Sequence, residues 1–115
     1  MSEHSVFKAA CIQMSARKDP AVNADRVEAL VREAAANGAD LIMTPEMTNI
    51  INRPREAVAA AVQAEEDCIN AARFAALAKE TGKHLLAGSL GVQAGGSKLA
   101  NRSILFGPDG KAMAR

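Results

Sequence analysis

Asp40-Leu41-Ile42-Met43-Thr44-Pro45-Glu46 is an apolar run that stops at a proline and leaves one carboxylate just beyond it. The run reads as a short strand over Asp40 to Thr44, and Pro45 ends it because proline has no backbone N–H to give to a ladder. Upstream, Val27, Leu30, Val31 and Ala34 recur at i, i+3, i+4, i+7, with Arg26, Glu28, Arg32 and Glu33 on the other side. That pattern predicts an amphipathic helix from about Val22 to Asn37, entered through Asp19-Pro20 and stopped by Asn37-Gly38. Before it, the mostly apolar Val6 to Met14 predicts a first, buried strand. Strand, helix and strand in this order form a βαβ unit with parallel strands and a right-handed crossover, so the fold class is α/β. Ligands in such folds sit at the carboxyl ends of the strands, where Glu46 stands. Glu46 is therefore the candidate catalytic residue, the alternative being an exposed turn residue behind Pro45.

Downstream, Met47 to Arg53 is irregular. Beside Glu46, this segment is expected to line a site entrance, with Thr48 and Asn49 influencing substrate preference. Pro54 suits the first turn of an Ala-rich helix from Arg55 to Ala64. Another helix is expected from Glu66 to Thr81, with Ile69, Ala72 and Ala76 on one face and Gly82 as its stop; one bent helix is the alternative. His84 to Gly91 and Leu99 to Phe106 read as strands around a Gly95-Gly96 loop. Gly107-Pro108-Asp109-Gly110 then predicts a turn into a returning strand from Lys111 to Arg115.

Composition excludes several functions. The 115 residues suit one domain, and a 49% apolar share favours a packed core over disorder. The only aromatics are Phe7, Phe74 and Phe106, so small aliphatic side chains must fill that core. A net charge of +1, with basic residues scattered, gives no footprint for nucleic acid or an anionic membrane. No apolar run could span a bilayer. Residues 1–5 read as a polar tail without the layout of a signal peptide, so a cytoplasmic location is expected.

The remaining reactive residue types form no constellation. Cys11 and Cys68 fit neither a disulfide framework nor a zinc pattern. Cys11, within the first strand, is expected to be a buried and inert thiol. Cys68 follows Glu65, Glu66 and Asp67, an acidic surrounding that opposes nucleophilic use. His4 and His84 have no partners at metal-ligand spacing, and Gly95-Gly96 lacks the spacing of a phosphate-binding loop.

The order of Ala10-Cys11-Ile12-Gln13-Met14, Asn23, Ala34 to Asp40 and Thr44-Pro45-Glu46-Met47 resembles the nitrilase superfamily, the carbon-nitrogen hydrolases. Leu86-Ala87-Gly88-Ser89, Asn101-Arg102-Ser103-Ile104-Leu105-Phe106 and Gly107-Pro108-Asp109-Gly110-Lys111 continue the likeness over nearly the whole chain. No one of these motifs is specific; their order and spacing are. Thr44-Pro45-Glu46-Met47-Thr48-Asn49 further resembles the amidase branch that includes deaminated-glutathione amidases and omega-amidases.

The resemblance implies the N-terminal part of a four-layered α-β-β-α sandwich. After the tail, residues 6–115 would be a hydrolase domain ending before its C-terminal half. It also implies a small amide or nitrile substrate, amides favoured, no metal or organic cofactor, and homo-oligomers of the full-length form. Family members use a Glu general base, a Lys that stabilises developing charge and a Cys nucleophile that forms a thioester acyl-enzyme. Glu46 matches the Glu. The Lys and the Cys fall beyond Arg115 in the family pattern, and Lys111, Cys11 and Cys68 stand at the wrong positions to replace them. The chain alone is then expected to be inactive. The alternative function is a non-catalytic α/β binding or assembly module on the same fold; an unrelated flavodoxin-like domain fits the motif order poorly.

Overall fold

The decisive stretch forms its strand over Leu41–Met43 in the computed structural model, which describes residues 6–115. The expected polar tail and His4 lie outside the described residues. Five strands form one sheet in sequence order: β1 (Ala9–Cys11), β2 (Leu41–Met43), β3 (His84–Gln93), β4 (Leu99–Phe106) and β5 (Ala112–Ala114). β1, β2 and β3 run parallel, and β4 and β5 return antiparallel. Helices α1 (Pro20–Ala36), α2 (Arg55–Ala61) and α3 (Ile69–Thr81) fill the connections, with a 3-10 turn at Glu65–Asp67.

The first helix starts two residues earlier than its apolar periodicity indicates. Asp19 caps it by accepting from the Ala21 N–H at 2.9 Å, which places Pro20 in the first turn, where its missing N–H costs nothing. Gly38, with φ of 87°, turns the chain after it. Helices α1 and α3 cover one face of the sheet. Val27 and Val31 meet Phe74, Leu77 and Ala78 over Ile42, Leu85, Ala87, Ile104 and Phe106.

Four expectations need correction. The first strand is short and lies at the sheet edge; Ala10 and Ile12 pack toward the helices, but Cys11 points to the uncovered face and is exposed. The two later helices are separate, but α2 stops at Ala61, short of Ala64, and α3 begins at Ile69: after α2 the chain is extended, Val62 enters the core, and Ala64 bridges to Gln93. That pairing also carries β3 past Gly91 to Gln93 and overrides the helix propensity of Gln63 and Ala64. On α3 the buried stripe is Asn70, Ala71, Phe74, Leu77 and Ala78, whereas Ile69, Ala72 and Ala76 face water. Phe74, the largest apolar residue, sets the phase.

The face opposite α1 and α3 has no element covering its region around Leu86 and Leu105 among the described residues. A ladder of Cys11, Met43, Leu86, Leu105 and Ala114 crosses it in register. Phe7, Leu41, Leu86 and Leu105 line a shallow cavity of about 330 Å³ there.

Candidate active site

Glu46 follows β2 directly, in a turn that crosses over β3. The crossing is close because β3 contains a bulge: its register to β4 shifts by one residue between Ala87 and Leu90. Leu85 and Ala87 face the helices before the bulge, and Leu90 and Val92 do so after it. That change of parity leaves Gly88 and Gly91 beneath the turn. A Cβ on Gly88 would overlap the Thr44 carbonyl oxygen outright and reach 2.7 Å from that of Pro45; one on Gly91 would lie 2.8 Å from Met47 Cε. Gly88, pressed against backbone, requires the absence of a side chain, whereas at Gly91 the contact is with the flexible end of Met47.

Hydrogen bonds fasten the turn at almost every residue. The Met47 N–H donates to Ser89 Oγ at 2.8 Å and the Thr48 N–H to the Ser89 carbonyl at 2.9 Å. The Ser89 N–H donates to the Pro45 carbonyl at 3.2 Å. The Thr48 hydroxyl donates to the Pro45 carbonyl and reaches Thr44 Oγ1. Asn49 pairs its side-chain amide with both backbone groups of Gly91, at 2.8 and 2.9 Å, like an added strand residue. Buried Asn23, on α1, donates to the carbonyls of Arg17 and Asn49 at 2.8 Å each, joining the loops that follow β1 and β2. Met47 takes a positive φ of 50°, uncommon for a residue with a side chain, which these bonds hold in place.

Thr48 and Asn49 therefore do not line an entrance. They are 1% and 3% exposed, and their polar atoms are consumed by the turn itself. Their position next to Glu46 in sequence suggested pocket residues; the bulge in β3 made them struts.

Glu46 itself is exposed, not sunk among apolar neighbours, and its Oε1 accepts from Asn101 Nδ2 on β4 at 2.9 Å. Nothing in the sequence around Asn101 indicates that it meets a carboxylate 55 residues away. A cleft of about 250 Å³ is lined by Asn101 together with Met47, Arg55, Val58, Val62 and Leu99. Among the described residues no hydrogen bond or ion pair joins Glu46 to a Lys or a Cys. Cys68 is buried in the helix-covered core, and Lys111 follows the turn at the far end of β4 from Asn101. Among the described residues no group of three or more His, Cys, Asp or Glu is placed to hold a metal ion, and no helix is long and apolar enough to cross a membrane.

A sequence profile of the carbon-nitrogen hydrolases matches residues 8–115. The omega-amidase NIT2 of Danio rerio is 35% identical over 111 residues, covering 92% of this chain and 37% of that protein. The hydrolase C26A3.11 of Schizosaccharomyces pombe is 31% identical, over 94% of this chain and 33% of its own length. Among solved structures, an amidase from Nesterenkonia sp. superposes with a TM-score of 0.81 at 28% identity, over 94% of this chain and 41% of that one. A doubly substituted form of the Nesterenkonia sp. AN1 amidase in complex with acrylamide superposes at 0.83 with 26% identity, covering 99% and 43%. The chain thus spans between about a third and two-fifths of the curated relatives it matches. The α/β sheet with its helices is that of the nitrilase-superfamily amidases, and the chain belongs to the carbon-nitrogen hydrolase family.

Proposed function

We propose that Glu46 is the general base of a hydrolase acting on small non-peptide carbon–nitrogen bonds, amides in preference to nitriles. The observation that carries this reading is its placement: an exposed carboxylate at the tip of a parallel strand, on a turn anchored at nearly every residue, in a chain of this family. Rigid support of that kind suits a group that must meet a substrate in one geometry. The amide preference is supported by the likeness to omega-amidases and to an amidase in complex with acrylamide.

In the proposed reaction Glu46 accepts the proton of a Cys thiol as the sulfur attacks the amide carbon. A Lys stabilises the negative charge on the tetrahedral intermediate, and Glu46 hands the thiol proton to the nitrogen so that ammonia or an amine leaves. The carboxylate so regenerated takes a proton from the water that hydrolyses the thioester, returning it to the sulfur as the acid product departs. Residues 6–115 would be the part of the domain that supplies the base, with the Lys and the Cys coming from outside these 115 residues and the full-length form a cytoplasmic homo-oligomer. The 115-residue chain is then inactive alone.

Ammonia release from an amide panel tests this. The expected result is no turnover by the 115-residue chain. In a polypeptide extended by the rest of its coding region, turnover should fall by about 10²–10⁴-fold in Glu46→Gln. Turnover by the short chain that Glu46→Gln removes would overturn the inactivity, and an extended product indifferent to Glu46→Gln would overturn the base assignment. A coding region that ends at Arg115 would favour the binding or assembly module.

A further inference from the structure

We propose that Asn101 is a positioning residue: it holds Oε1 of Glu46 and leaves Oε2 as the oxygen that takes the proton. The inference rests on the reading of Glu46 as a general base. Its first support is the 2.9 Å bond from Asn101 Nδ2 to Oε1. A carboxylate on an exposed turn can rotate about its terminal torsion, and a donor on one oxygen stops that rotation. With Oε1 occupied, the lone pairs of Oε2 are the ones left to take a proton. None of the ion pairs among the described residues involves Glu46, so the orientation comes from a neutral donor.

The placement of Asn101 is independent of the turn's own bonds. Along β4, Ile104 and Phe106 face the helices and Arg102 reaches Glu65 on that side, at 2.8 Å. Alternation therefore sends Asn101 and Ser103 to the opposite face, where the Glu46 turn lies. Ser103 uses that face to donate to the Gly88 carbonyl at 2.6 Å, which braces the bulge from below. Asn101 sits opposite Gly91 in the β3–β4 ladder.

A purely structural role accounts poorly for this contact. Both side chains are exposed, and an exposed hydrogen bond adds little to stability because water competes for both groups. The backbone on either side is already fixed by Ser89, Thr48 and Asn49. What the bond changes is the direction of the carboxylate.

Two measurements test the proposal. In the extended, active product, Asn101→Ala should lower kcat by about 10–100-fold, as a misaligned group does, with KM within about twofold and an unchanged urea midpoint. Asn101→Asp, the same shape without a donor and with a repelling charge, should be worse than Ala; a space-filling role would make it better. Full kcat in both variants, while Glu46→Gln is inactive, would overturn the proposal. In the 115-residue chain, the Asn101 side-chain amide should show one Nδ2 proton displaced from the free-amide position in an NMR spectrum, and Glu46→Ala should return it. An amide indifferent to Glu46→Ala would overturn the proposal as well. Should the extended product hydrolyse no amide, the proposed function fails by itself, and the amide resonance still decides whether Asn101 holds Glu46.

Discussion

Gly88 and Asn49 shape the turn that carries Glu46. Gly88 lets β3 pass directly under Thr44 and Pro45, and Asn49 completes the ladder at Gly91. Gly88→Ala should therefore force the β2 turn away from β3 and destabilise the fold by about 3 kcal/mol or more, since overpacking against rigid backbone cannot be relieved by a rotamer change. A urea midpoint shared with the wild type would refute the close approach. Glu46 was legible beforehand because Pro45 marks the end of β2 and the tip of a parallel strand is a place for function. Its partner Asn101 was not, because contact across 55 residues depends on strand register, which the local pattern does not specify.

Between elements, charged side chains bind α1 to α3. Arg73 meets Asp25 at 2.6 Å and Glu28 at 2.8 Å, and Arg32 bridges Glu28 and Glu80. Hydrogen bonding from Arg73, aided by the charges of Arg73 and Arg32, outweighs partial desolvation and holds the Glu28 carboxyl below the usual carboxylate range. At Glu65, desolvation pushes upward, but the hydrogen bonds and charges of Arg115 and Arg102 together outweigh it and lower that carboxyl too. A carboxyl lowered in the folded state adds stability above its unfolded value, near pH 4.3, and loses it as pH falls through the folded one. Urea midpoints measured from pH 7 to pH 3 should thus fall below about pH 4.5, and less steeply in Glu28→Gln and Glu65→Gln. Identical acid limbs would show that these pairs contribute nothing. The phase of α3 was misread at this level: small apolar residues occur all round that helix, and only packing under Phe74 decides which of them are buried.

Taken as one body, the described residues cover one face of the sheet with helices and leave the Leu86 and Leu105 region of the other open. Leu41, Met43, Leu86 and Leu105 on the open face are only half-buried, and Phe7 is exposed. Apolar surface of this extent favours association. The 115-residue chain should bind a hydrophobic dye and sediment as concentration-dependent species, and Leu86→Lys with Leu105→Lys should reduce both. A monodisperse wild-type monomer that binds no dye would contradict this. The α/β class, the parallel βαβ unit, the turn at Gly107 to Gly110 and the carboxylate at the strand tip were all determined by the sequence, because each follows from short-range rules of periodicity, proline and glycine. The tertiary structure alone decided that Thr48 and Asn49 are struts, that Cys11 is exposed, and that Asn101 meets Glu46. Those outcomes depend on which face a strand presents and where a one-residue bulge falls, and both are settled only when distant segments pair.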